Sequence, residues 1–137
     1  MRFSFPKDDR QFAWTRHIKN KMLFYGLSEQ RIRRVMKSPD RLEEGVAEQT
    51  SAVMQKSKQR KNPEEIWVMF MPKKKADRFQ SKAGKVLMIS AWRYPGISKP
   101  GNAIPIPQDI LEELDINLNM IHNGESESLK AKRAQKR

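Results

Sequence analysis

Two nearly uninterrupted apolar runs, Ile66-Trp67-Val68-Met69-Phe70-Met71 and Val86-Leu87-Met88-Ile89-Ser90-Ala91-Trp92, constrain this chain more than any other feature. Runs of this length without a polar alternate read as strands covered on both faces, so the chain must build a sheet with a layer on each side. The second run gives way to Arg93-Tyr94-Pro95-Gly96. Pro95-Gly96 stops a strand, which delivers Arg93 and the rings of Trp92 and Tyr94 to its mouth. A cation beside aromatic rings suits a partner that carries phosphates and bases.

The rest of the chain supplies candidate covers. At about 100° per residue, Trp14, Ile18, Met22 and Tyr25 share one face of a helix beginning near Phe12 or Trp14, with Arg16, Lys19 and Asn20 pointing away. Gly26 can end it, and Ser28 can cap a second helix whose inner stripe is Ile32, Val35 and Met36. Arg31, Arg33, Arg34 and Lys37 decorate its outside, and Ser38-Pro39 ends it. Leu42 to Ala47 and Thr50 to Lys56 read as a hairpin turning near Glu48-Gln49. A helix from Pro107 to Asp115 offers Ile110, Leu111 and Leu114 to the second sheet face; a partner protein or a second copy is the alternative cover. The fold class is therefore α+β: two N-terminal helices packed on a small, mostly antiparallel four-stranded sheet, with a C-terminal helix. Residues 1–11 form a polar arm, 12–116 a single domain, and 117–137 a disordered basic tail.

A chain of 137 residues that is 37% hydrophobic supports one core and hardly two. Its 28 Lys and Arg against 16 Asp and Glu give a net charge of +12, which favours polyanions and puts nucleic acid first among partners. No segment approaches the roughly 20 apolar residues of a membrane span, and Met1-Arg2-Phe3-Ser4-Phe5 lacks a signal peptide's apolar stretch, so a cytoplasmic location is expected. Without cysteine there is no disulfide or thiolate site, and His17 and His122 cannot alone furnish a histidine metal site. The adjacent pairs Glu43-Glu44, Glu64-Glu65 and Glu112-Glu113 point apart and read as solvated charges, so neither metal nor cofactor is expected. Gly-rich phosphate loops and nucleophile elbows are missing too, which makes nucleotide hydrolysis and acyl transfer poor fits.

The pattern Trp14-Thr15-Arg16-His17, Lys21-Met22, Tyr25-Gly26-Leu27-Ser28, a second helix ending at Ser38-Pro39, and a last strand carrying Ile89-Ser90-Ala91 resembles the BrnT-type toxins. It is also similar to a related uncharacterised bacterial family with a helix-borne histidine and a Gly-Ile/Leu-Ser turn. The resemblance covers roughly residues 12 to 94 and implies a RelE-like fold, the fold of small bacterial ribonuclease toxins that act with an antitoxin. In BrnT-type chains an arginine directly follows the Ser-Ala pair; here Trp92 takes that place and Arg93 comes one residue later.

Metal-independent RNA cleavage needs an acid or base for the 2′-hydroxyl and 5′-oxygen, and cations where charge grows on phosphate. His17 can serve as acid or base, Lys21 and Arg93 can hold the phosphate, and Trp92 or Tyr94 can stack a base. Arg31 and Arg34, with Lys73, Lys74 and Lys75, are the further candidate RNA contacts. Each has a plainer reading: His17 as a hydrogen-bonded structural residue, Trp67 and Trp92 as core, Arg31 and Arg34 as a solvated helix face. Three functions follow: a toxin-like endoribonuclease, a non-catalytic protein that binds RNA or the ribosome, and an interaction module covered by an antitoxin-like partner. The oligomeric state stays open.

Overall fold

The computed structural model describes residues 4–45, 49–57, 61–73, 84–99 and 103–113. Lys74, Lys75, Leu114, His122 and the basic tail lie outside the described residues, as do Ala47 and Glu48 of the expected hairpin turn. Seven elements follow in order: β1 (Phe12–Trp14), α1 (Arg16–Tyr25), α2 (Glu29–Lys37), β2 (Arg41–Glu44), β3 (Ser51–Lys56), β4 (Glu64–Met71) and β5 (Val86–Pro95). They build an α+β fold on one five-stranded mixed sheet, in the order β1-β5-β4-β3-β2. A helical turn at 108–113 closes the described chain.

Both helices start and stop where local chemistry directs. The Thr15 hydroxyl accepts from the Ile18 amide and the Ser28 hydroxyl from the Arg31 amide, each satisfying a first-turn donor that the helix itself leaves unpaired. Gly26 adopts φ 67°, a left-handed conformation that lacks steric cost only without a Cβ. Its amide donates to Leu23 O and that of Leu27 to Met22 O, the paired bonds of a Schellman cap, while the Leu27 and Met22 side chains meet in the core.

The two central strands are buried on both faces, as their apolar composition requires. One face packs on Ile18 and Met22 of α1, Leu27, and Ile32 and Val35 of α2. The other gathers Met54, Trp67, Met69, Leu87, Ile89 and Trp92 under Ile110, with Ile104 and Ile106 packed alongside. The cover of this second face thus comes from the chain itself. Trp67 and Trp92, opposite each other in the ladder, stack at 6.2 Å.

Alternation along β5 breaks once. Met69 pairs with Ser90 and Phe70 with Met88, so Ile89 is an extra residue in the ladder, a β-bulge. Past it the parity is reset: Val86, Met88 and Ala91 join the helix-side core, and Leu87, Ile89 and Trp92 the other.

Three expectations are corrected. The sheet has five strands rather than four, because Phe12–Trp14 pairs in parallel with Val86–Met88 instead of opening α1. Trp14 is accordingly a strand residue, and α1 begins only after the Thr15 cap. The first hairpin strand runs Arg41–Glu44 instead of Leu42 to Ala47, while β5 continues to Pro95 opposite Glu64. Among the described residues no helix is long and apolar enough to cross a membrane.

The three-residue edge strand β1 is held by carboxylates. Asp9 Oδ1 accepts from the amides of Gln11 and Phe12 at 2.8 Å each, and Asp8 Oδ1 accepts from Trp14 N at 2.9 Å. Arg33 of α2 binds the other Asp9 oxygen at 2.7 Å. The Phe12 amide first, then Arg33, holds the Asp9 carboxyl down at about 2. A depressed carboxyl stabilises the fold above its unfolded value and loses that contribution as pH falls toward the folded one. Asp9→Asn is therefore expected to lower unfolding free energy at neutral pH by on the order of 1 kcal/mol, a figure discounted for solvent screening. In urea denaturation the gap to wild type should close as pH drops from about 4 to about 2; a gap independent of pH would show that Asp9 acts by shape alone.

Candidate functional site

Helix α1 lies beside the segment of β5 that follows the bulge. Thr15 Oγ donates to Ile89 O at 2.9 Å, His17 Nε2 meets Ser90 Oγ at 2.7 Å, and Arg93 Nε donates to Tyr25 O at 2.6 Å. A helix of ten residues is about 15 Å long, close to the roughly 13 Å that four steps along a strand cover. His17 and Arg93 are thus fastened to opposite ends of α1. The eight residue-to-residue steps from His17 to Tyr25 rise about 12 Å, so the expected shared cleft of His17 and Arg93 does not form.

Arg93 closes the C-terminal end of α1. Besides Tyr25 O it donates to Gly26 O at 3.1 Å, and its remaining guanidinium nitrogen pairs with Glu64. Cationic donors at a helix C-terminus satisfy carbonyls the helix leaves open and complement its dipole.

At the N-terminal end sits a polar cluster. Lys21 Nζ donates to Asp109 Oδ2 at 2.6 Å and to Glu113 Oε1 at 2.9 Å, and His17 Nδ1 lies 3.1 Å from Glu113 Oε2. The imidazole and the ammonium are built into the fold, with side chains 1% (His17) and 7% (Lys21) exposed, whereas Asp109 and Glu113 are 41% and 46% exposed. Burial pushes the His17 imidazole below its usual value; Glu113 opposes that and Lys21 reinforces it. Burial also works against the Lys21 ammonium, but the two carboxylates outweigh it and raise its pKa. The Tyr25 hydroxyl is raised, first by burial and then by the charge of the Asp109 carboxylate. Ser90, His17 and Glu113 are connected as nucleophile, base and orienter are in hydrolases, yet Ser90 is 0% exposed and its hydroxyl is closed to substrates.

The stacking and basic candidates divide. Trp92 is 0% exposed and its indole donates to Pro105 O at 2.8 Å, so it belongs to the core and cannot stack an RNA base. Tyr94 is half-buried beside the same cluster. Lys73 is exposed just after β4. Arg31 and Arg34 do converge: with Asp40, Gln55, Lys56 and Ser57 they line an open cavity of about 550 Å³ between α2 and the end of β3. Arg31 is oriented by Gln55. Burial first, then the guanidiniums of Arg34 and Arg93, pushes the Arg31 pKa down, against the opposing carboxylates of Glu64 and Asp40.

Several of these residues escape sequence reasoning. Asp109 and Glu113 read as ordinary charges on a surface helix, and Gln55 carries no motif. Glu65, expected to be solvated, is 0% exposed and accepts from Trp67 Nε1, Ser98 N and Ser98 Oγ at 3.1, 3.0 and 2.7 Å. Arg41 completes that cluster, donating to Ser98 Oγ and lying 5.3 Å from the Trp67 ring. The only signal for Glu65 was the apolar run that begins directly after it. Among the described residues no group of three or more histidines and carboxylates could hold a metal ion.

No family model matches the sequence, and neither a curated protein nor a solved structure matches it.

The lowered His17 pKa carries a pH signature. Below the unfolded value of 6.5 the unfolded chain binds a proton that the native chain resists, so stability falls on acidification and recovers as pH rises. The thermal midpoint is expected to drop between about pH 7.5 and about pH 5.5, and His17→Gln, which keeps a donor for Ser90, to flatten that slope. Circular dichroism melts across this range would detect it; an identical slope in the variant would assign the dependence elsewhere.

Proposed function

We propose that this chain is an RNA-binding protein that seats phosphates in the cleft between α2 and β3. The observation that carries the reading is the convergence of Arg31, Arg34 and Lys56 on one open cavity of about 550 Å³. Guanidinium groups suit phosphate because their donors match its oxygens two at a time. The net charge of +12 adds long-range attraction for a polyanion, which speeds encounter without choosing a sequence. RNA is favoured among polyanions by the resemblance of the chain to BrnT-type toxins.

Binding rather than cleavage is the better-supported half of the toxin-like expectation. Joint catalysis requires His17, Lys21 and Arg93 to face one phosphate, whereas Arg93 is bonded to Tyr25, Gly26 and Glu64, and Lys21 to Asp109 and Glu113. Cations already neutralised in this way stabilise the fold, and each would have to leave its partner before touching RNA.

Fluorescence anisotropy with a short single-stranded RNA at several salt concentrations tests the site. Each phosphate contact on a single strand contributes a slope of about −0.7 in log K against log salt. Arg31→Gln with Arg34→Gln is expected to weaken binding about 10-fold and to remove about 1.4 from the slope. Arg16→Gln with Lys19→Gln removes the same charge from α1 and serves as the control. Equal losses in the two double variants would sink the assignment of the cleft and leave only diffuse attraction.

A further inference from the structure

We infer that Asp40 is the residue by which the α2–β3 cleft selects RNA over DNA, its carboxylate accepting a hydrogen bond from a ribose 2′-hydroxyl while Arg31 and Arg34 hold the adjoining phosphate. The inference rests on the phosphate-binding reading of that cleft and adds the sugar that the ligand must carry.

A carboxylate is out of place in a seat for phosphate alone. Asp40 lines the same open cavity of about 550 Å³ as Arg31, Arg34 and Lys56, where its charge repels a polyanion and opposes what the cations contribute. Elsewhere in this fold such groups are neutralised by a neighbour: Asp9, Glu43, Glu64 and Asp109 each hold an arginine or a lysine. Asp40 forms no ion pair with a described residue. Its Oδ2 accepts from the backbone amide of Lys56 at 2.7 Å, and its other oxygen has no hydrogen-bond partner among the described residues. The wall of a cation-lined cavity thus carries one ionised acceptor that the fold leaves free.

Acceptor and cation are both fixed against three consecutive residues of β3. The Asp40 amide donates to Met54 O at 2.7 Å and its carboxylate takes the Lys56 amide, so backbone and side chain are pinned together. Gln55, between those two, accepts from Arg31 through its carbonyl oxygen and donates from its amide nitrogen to Ser38 O at 3.1 Å, at the cap that ends α2. Neither the Arg31 guanidinium nor the free carboxylate oxygen has to be ordered when a ligand enters.

A ribonucleotide presents what this wall lacks. Its 3′-phosphate and 2′-hydroxyl sit on neighbouring carbons of one ring, so donors for the phosphate and an acceptor for the hydroxyl have to lie side by side. A guanidinium only donates and an ionised carboxylate only accepts, which makes Arg31 and Asp40 complementary to those two groups and keeps them from exchanging roles. The 2′-hydroxyl is the feature by which a protein distinguishes RNA from DNA. A deoxyribose has no such proton to give, and it leaves the carboxylate facing phosphate without a compensating bond.

The test compares, by fluorescence anisotropy on the full chain, two short single strands of one sequence, one all-ribose and one all-2′-fluoro. Fluorine removes the hydroxyl proton but keeps the ribose-like ring pucker, so the difference isolates the donated bond. Wild type is expected to bind the ribose strand about 10-fold more tightly, the size of one hydrogen bond to a charged group. In Asp40→Asn the carboxamide oxygen can keep the Lys56 amide while its nitrogen, a donor, replaces the free oxygen. The preference should then fall below about 2-fold, and the fluoro strand should bind more tightly than to wild type because a negative charge has left the cleft. Asp40→Ala, which also gives up the Lys56 bond, should lose the preference as well. A preference kept in either folded variant overturns the role of Asp40, and failure of both to fold does so too, by assigning the carboxylate to the start of β2. If Arg31→Gln with Arg34→Gln weakens both strands while wild type shows no preference between them, the phosphate cleft stands and the selection by Asp40 falls. Equal losses in that double variant and in Arg16→Gln with Lys19→Gln remove the cleft, and the inference with it.

Discussion

Strands β4 and β5 form a ladder with no polar face, and the remaining elements are placed by the need to cover it. Helices α1 and α2 bury Ile18, Met22, Ile32 and Val35 against one side, and the segment around Ile110 shields the stacked Trp67 and Trp92 on the other. Buried apolar area is the main favourable term in folding, so exposing either face would remove much of what holds so small a domain together. The bulge at Ile89 is the second constraint. It presents Ser90 to His17, directs Trp92 away from the helices and turns Arg93 toward the end of α1.

Charge follows from that frame. Of the cations the sequence brings forward, Lys21, Arg33, Arg41 and Arg93 each hold a carboxylate. For the buried Lys21 and Arg41, loss of the carboxylate would leave a poorly solvated charge, whereas the part-exposed pairs of Arg33 and Arg93 are screened by solvent and hold more weakly. The net positive charge is therefore no guide to where a polyanion would dock. Location depends on which cations crowd together around open space, and the α2–β3 cleft with Arg31, Arg34 and Lys56 is such a place.

The 103–113 segment links core packing to the ion pairs beside α1. It supplies the apolar cover of one sheet face through Ile110 and, three residues to either side or nearer, the carboxylates that engage Lys21 and His17. Packing and ion pairing are thus borne by the same turn, so anything that shifts Ile110 also changes the surroundings of the imidazole. Such coupling needs no long pathway, because the two sites share one rigid helical turn.

Much of this architecture is legible in the sequence, wherever the signal is local. The Gly26 stop, the Ser28 cap, the inner stripe of Ile32, Val35 and Met36, and the two apolar strands all depend on neighbours within a few residues. The partial cases share one cause: Trp14 fits the helical spacing of Ile18 and Met22, but the parallel ladder with Val86–Met88 claims it first. The candidate site was read only in fragments. Arg31 and Arg34 could be picked out as an exposed basic face, whereas their cavity required β3 to be brought alongside; Lys21 and Asp109 stand 88 positions apart. Sequence by itself determined the caps, the amphipathic faces and the demand for a two-sided core, because these are set by chain stiffness and apolar spacing. Tertiary structure alone decided the fate of each ionisable group, since a side chain's charge is stabilised or opposed by whatever distant residue the closed sheet places within a few ångströms of it.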